Sequence, residues 1–230
     1  MNVYDVVIQN KEVFKAAYAA LIVFICLVIV LKTHKLFKLS SYTGIRYFRN
    51  AFFFFGLGFF SRYFLKYFFE VKGLESFSDV PLLLFEFFVI MAGFFLLYSL
   101  IWKRLDFSKS FANSSLLTPG VLVFYMFAII IVILDYFWQT LTLMFLSQVI
   151  VFLIASIMSF NNTLSLTKKK NHLSKLYFVA MITSFLAWVL NAVTVLIFNW
   201  EQTLLINIYI LNMLFFLFFL YGVFKALRGN

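Results

Sequence analysis

Seven long apolar runs, separated only by short polar stretches, constrain this chain more than any other feature. They cover residues 16–31, 47–69, 81–102, 117–138, 140–160, 176–199 and 203–224. A helix needs about 20 such residues to cross a hydrocarbon core of about 30 Å. All but the first run reach that length, and the helix of the first is expected to begin earlier, near Val13. A soluble core is excluded by composition. Hydrophobic residues make up 64% of the chain and charged ones 12%, against roughly 45–50% and about 25% in soluble domains. The solvent for this chain is therefore lipid. The expected fold is all-α: a polytopic membrane protein whose residues 1–230 form a single domain of seven transmembrane helices.

The charges set an orientation. With the first residue outside, the connections on the inner side hold fourteen Lys and Arg, among them Lys32, Arg46, Arg49, Lys103 and Lys168–Lys170, against three outside. This alternation is the positive-inside pattern, and it predicts an outer N-terminus and a cytoplasmic C-terminus in the cell membrane. It also accounts for the net charge of +10 without any nucleic-acid partner. The Lys168, Lys169, Lys170 cluster offers a place for a cytoplasmic or membrane protein partner or for anionic lipid. The bilayer itself is the first partner.

Several chemistries find no support. The chain has one cysteine, Cys26, inside an apolar run, and two distant histidines, His34 and His172. No metal constellation or cofactor motif follows from these. Paired carboxylates, a Ser–His set and a Gly-rich phosphate loop are absent, so no enzyme activity is expected. The two prolines, Pro81 and Pro119, open helices rather than interrupt them. Broken helices of the transporter kind are marked by mid-helix Gly and Pro, so continuous helices are expected here. Gly56 and Gly58 do not form a G-x-x-x-G pair, and no close crossing is expected from them.

Ionisable groups at membrane depth are expensive and point to function. At about 1.5 Å per residue, Arg62 lies about 12 Å below the outer boundary, Asn191 and Gln148 about 13 Å, and Asn212 about 15 Å. A shallower tier holds Glu86, Asn207, Lys66 and Asp135. The candidate ligand-binding residues are Arg62, Glu86, Gln148, Asn191, Asn207 and Asn212. Ala51, Phe55, Gly58, Arg62 and Lys66 step by three or four residues and form one stripe. Gly58 is expected to leave room beside the Arg62 guanidinium, with Glu86 as first partner of Arg62 and Asp135 as second. Lys66 is near enough to the surface to snorkel. The amides serve either a ligand or bonds between helices. Many of the 35 phenylalanines are expected to face lipid, and "FFFF" is not read as a recognition motif.

The segment "GIRYFRNAFFFFGLGFFSRYF" (44–64) resembles the second helix of small multi-pass proteins of unknown function from archaeal genomes. Those in turn are similar to membrane sensory regions that precede signalling domains. The resemblance implies a sensory lineage. A retinal protein needs a lysine deep in the last helix, and the last run has none before Lys225. The usual G-protein-coupled signatures are missing too: the inner end of the third run reads "IWKRLDF". Two readings remain. One is a membrane sensor, receptor-like or accessory subunit without its own output domain, acting through a partner. The other is a transporter or channel for a small solute with Arg62 in its path.

Overall fold

A computed structural model of the chain describes residues 11–40, 43–73, 79–105, 118–165, 172–198 and 202–228, with the isolated positions 77 and 116. Seven helices follow one another among them. They are α1 (Lys11–Ser40), α2 (Thr43–Phe60, continued by a π-helical turn Ser61–Leu65 and a final α-helical stretch Lys66–Val71), α3 (Val80–Leu105), α4 (Pro119–Trp138), α5 (Thr142–Ser165), α6 (His172–Leu196) and α7 (Gln202–Arg228). All except α2 are long and apolar enough to cross a membrane, so the protein is membrane-embedded. In α2 the apolar stretch is diluted by Arg46, Arg49 and Asn50 at one end and by Arg62 and Lys66 at the other. Helix α1 overruns its apolar run at both ends, because Lys and Leu around residues 32–38 are good helix formers whatever the solvent.

The end that carries the α2–α3, α4–α5 and α6–α7 connections is called upper here, and the opposite end lower. Helices α1, α2, α3, α5, α6 and α7 pack in that order into a closed ring, with α1 returning onto α7. Helix α4 lies outside the ring, across α3 and α5. Burial follows this placement. In the apolar stretch of α3, 61% of residues are buried, against 17% in α4.

Local chemistry sets the helix ends. Thr118 is extended (φ −70°, ψ 148°) and its carbonyl accepts from the amides of Val121 and Leu122, while Pro119 opens α4 where no N–H is needed. The carbonyl of Asp79 plays the same part for α3. Helix α4 ends on Gln139 in the left-handed region (φ 53°), and Thr140 then donates to the Asp135 carbonyl at 3.1 Å. This turn folds α5 straight back beside α4.

Helix α2 carries a glycine on each of two faces. A Cβ at Gly56 would stand 3.3 Å from the Cβ of Cys26 on α1, and one at Gly58 would stand 3.2 Å from Val89 on α3. Single glycines thus bring α2 close to both neighbours without a G-x-x-x-G pair, contrary to the sequence expectation. The "FFFF" run is also more internal than expected: Phe52, Phe54 and Phe55 are buried and only Phe53 is exposed. In the middle of the ring Phe52 meets Phe219 edge to face at 5.1 Å and Phe216 at 6.2 Å, and Phe55 meets Phe215 in the same way at 5.8 Å. Phe152 of α5 closes the group against Phe215 at 6.2 Å. These rings fill the middle of the bundle, where each contributes apolar area and edge-to-face contacts.

Candidate functional site

Above the phenylalanine plug lies a cavity of about 60 Å³ on the ring axis. All six ring helices contribute to it. Its polar lining is Tyr18 from α1, Arg62 and Tyr63 from α2, Ser184, Trp188 and Asn191 from α6, and Tyr209 and Asn212 from α7. Its floor is Phe55, Phe215 and Phe216.

The local backbone explains how Arg62 reaches this space. Arg62 belongs to the π turn Ser61–Leu65, which fits one more residue into the turn than an α-helix would. The Ser61 hydroxyl donates to the Leu57 carbonyl at 2.8 Å and so occupies an acceptor in the loosened turn. The extra residue rotates everything beyond it. The stripe therefore holds through Ala51, Phe55 and Gly58, all buried, and reaches Arg62 on the cavity wall. Lys66 then swings outward, where 58% of its side chain is exposed and its ammonium stands 3.8 Å from Glu70. The Arg62 guanidinium lies over the Phe85 ring at 4.6 Å and near the Tyr63 ring at 5.8 Å, both cation–π distances. The space beside Gly58 is taken by Val89 and Phe85 of α3 rather than by the guanidinium.

Asn191 and Asn212 meet across the cavity. Asn191 Nδ2 donates to Asn212 Oδ1 at 3.1 Å and to the Ala187 carbonyl at 2.7 Å. Tyr18 lies within side-chain hydrogen-bonding reach of Asn212, and its ring stacks on Tyr209 at 4.5 Å. No carboxylate lines the cavity among the described residues.

The other candidates stand elsewhere. Glu86 is buried on the α3 face toward α4, beside Asp135 and not beside Arg62. Asp135 is itself a cap: its carboxylate accepts from the amides of Leu143 at 3.0 Å and Met144 at 2.8 Å, at the start of α5. The Thr140 hydroxyl adds a longer contact at 3.4 Å. Gln148 is fully buried, packed against Gly93 at the α3–α5 contact, and neither of its amide atoms has a partner. The expected Arg62–Glu86 pair is therefore replaced by two separate arrangements, because Glu86 and Arg62 leave their helices in different directions. The side chain of Asn207 and the whole of Lys168, Lys169 and Lys170 lie outside the described residues.

Sequence reasoning missed Tyr18, Tyr63, Trp188 and Tyr209. An aromatic in an aromatic-rich membrane helix carries no visible mark of function. Tyr63, next to Arg62, had the one usable signal.

Below the plug is a second cavity, of about 380 Å³, between α1, α2, α3, α6 and α7. Its lining is mostly apolar and includes Leu36, Phe48, Ala180, Phe218 and Val223.

Comparison with known protein families, with curated proteins and with solved structures finds no match.

Proposed function

We propose that the chain is a receptor-like membrane sensor that takes a small anion in the upper cavity and acts through a partner at its lower, basic end. It lies N-out and C-in in the cell membrane, with α2 as a seventh span, so the upper cavity faces outward. One observation carries the reading: the cavity is a blind one, floored by Phe55, Phe215 and Phe216, with the Phe52, Phe152 and Phe219 rings packed beneath. A solute that enters meets an end. The lining speaks for an anion, since Arg62, three tyrosine hydroxyls and the Asn212 amide line it and no described acid opposes them. About 60 Å³ is room for a few water-sized groups, which suits formate, nitrate or bicarbonate better than a metabolite with a chain.

The test compares Arg62→Leu with Lys66→Leu. Purified protein is screened for thermal stabilisation by formate, nitrate, bicarbonate and phosphate. The wild type and Lys66→Leu should respond alike, within about twofold in apparent affinity. Arg62→Leu should lose about tenfold or more, as a charge-assisted contact is worth roughly 1.5–3 kcal/mol. Equal responses of the two variants would remove the anion site.

A transporter reading keeps one observation in its favour. The two cavities lie on either side of the plug, as alternating access requires. Anion flux into proteoliposomes separates the readings: saturable flux abolished by Arg62→Leu supports transport, and binding without flux supports the sensor.

A further inference from the structure

The lower cavity differs from the upper one in size and in chemistry. Its hydroxyl groups are already engaged. Ser99 Oγ donates to the Leu96 carbonyl at 2.6 Å and stands 3.2 Å from the Tyr177 hydroxyl. Thr33 Oγ1 donates to the Ile29 carbonyl at 2.6 Å. A buried water needs two to four polar partners, and this lining has few left to offer. Leaving the space empty would forfeit the dispersion contacts of its whole wall. Its occupant is therefore apolar. In a bilayer the apolar material at hand is an acyl chain.

The charge pattern at the same end names the head group. Three of the helices that line the cavity carry cations beside the lining residues. Lys35 lies next to Leu36, Arg46 follows Ile45, Arg49 follows Phe48, and Lys175 precedes Leu176. Arg49 Nη1 donates to His34 Nδ1 at 3.0 Å and ties α2 to α1. Lys32 lies over the Phe224 ring at 5.5 Å and Lys225 over Tyr221 at 5.8 Å, the posture of cations whose stems run along apolar surface toward the head-group level. The described carboxylates Glu70, Asp79, Glu86 and Asp135 all belong to the upper half.

We propose that the lower cavity holds one acyl chain of an anionic phospholipid, with its phosphate among the cations of the lower end. This goes beyond the sensor reading and stands without it.

The test begins with the chain purified in a mild detergent and analysed by native mass spectrometry and by solvent extraction. An anionic phospholipid should be retained at one per protein. Ala180→Phe, which fills the space, should release it. Should that variant not fold, Ala226→Leu at the edge of the cavity should weaken retention instead. In nanodiscs, the wild type should unfold at higher temperature when phosphatidylglycerol is mixed with phosphatidylcholine than in phosphatidylcholine alone. Arg46→Gln with Arg49→Gln should cut the preference for the anionic lipid by about fivefold per charge removed. Recovery of no phospholipid, equal stability in the two nanodiscs, or recovery of a fatty acid or a cross-linked peptide segment in its place would each overturn the proposal.

Discussion

Glu86 and Asp135 sit side by side in the corner where α3, α4 and α5 meet, and removing each should have a different consequence. Asp135 accepts from two amides at the start of α5, a place where the helix dipole and unpaired N–H groups both favour a carboxylate. Asp135→Ala should cost about 1–2 kcal/mol, read as a lower unfolding temperature in detergent. Glu86 leaves Oε1 without a partner and places a second carboxyl beside the first, which is unfavourable if both are charged. Glu86→Gln removes that conflict and supplies an N–H donor to Asp135. It should leave stability unchanged within about 0.5 kcal/mol or raise it. A large loss on Glu86→Gln, with none on Asp135→Ala, would mean that the roles are reversed. Both acids looked like candidate partners of Arg62 in the sequence. Depth can be counted along a chain, but the direction in which a side chain leaves its helix cannot, and direction separates these two from the cavity.

At the scale of helices, the α3–α5 contact rests on a small residue facing a large polar one. A Cβ at Gly93 would run into the Gln148 amide. Gly93→Ala should therefore force the Gln148 amide aside and destabilise by about 1 kcal/mol through overpacking. Gln148→Ala makes the room, so the double variant should recover most of that loss, a coupling large enough for a double-mutant cycle. Gln148→Leu alone should be tolerated, because the amide has no hydrogen bond to lose. Additive losses would show that the two residues do not meet. The same scale explains what was legible in α2. Counting at 3.6 residues per turn put Ala51, Phe55, Gly58, Arg62 and Lys66 on one stripe, and the count holds as far as Arg62. Beyond it Lys66 is exposed, as its nearness to the surface leads one to expect, while the π turn itself is not legible, because "SRYFL" carries no proline or glycine to announce it.

For the whole molecule, the seven apolar runs correspond one to one with the seven helices among the described residues, six of which are long and apolar enough to cross a membrane. The ring order and the outlying position of α4 were not legible. Its apolar residues surround the helix, so no polar face marks which side meets lipid. Orientation rests on the cation count, and it can be read with cysteines. The chain has one, Cys26, 1% exposed inside the bundle, so the background to a maleimide is low. Lys38, Lys72 and Lys175 are exposed near helix ends. Only α2 lies between Lys38 and Lys72, whereas α3, α4 and α5 lie between Lys72 and Lys175. With α2 crossing and the upper end outside, a membrane-impermeant maleimide should label Lys72→Cys in intact cells. Lys38→Cys and Lys175→Cys should label only after permeabilisation. The opposite pattern at all three would invert the molecule and turn the Arg62 cavity toward the cytoplasm. Labelling of Lys38→Cys and Lys72→Cys from the same side would mean that α2 does not cross, and that Arg62 sits in a helix held inside the bundle by its neighbours alone.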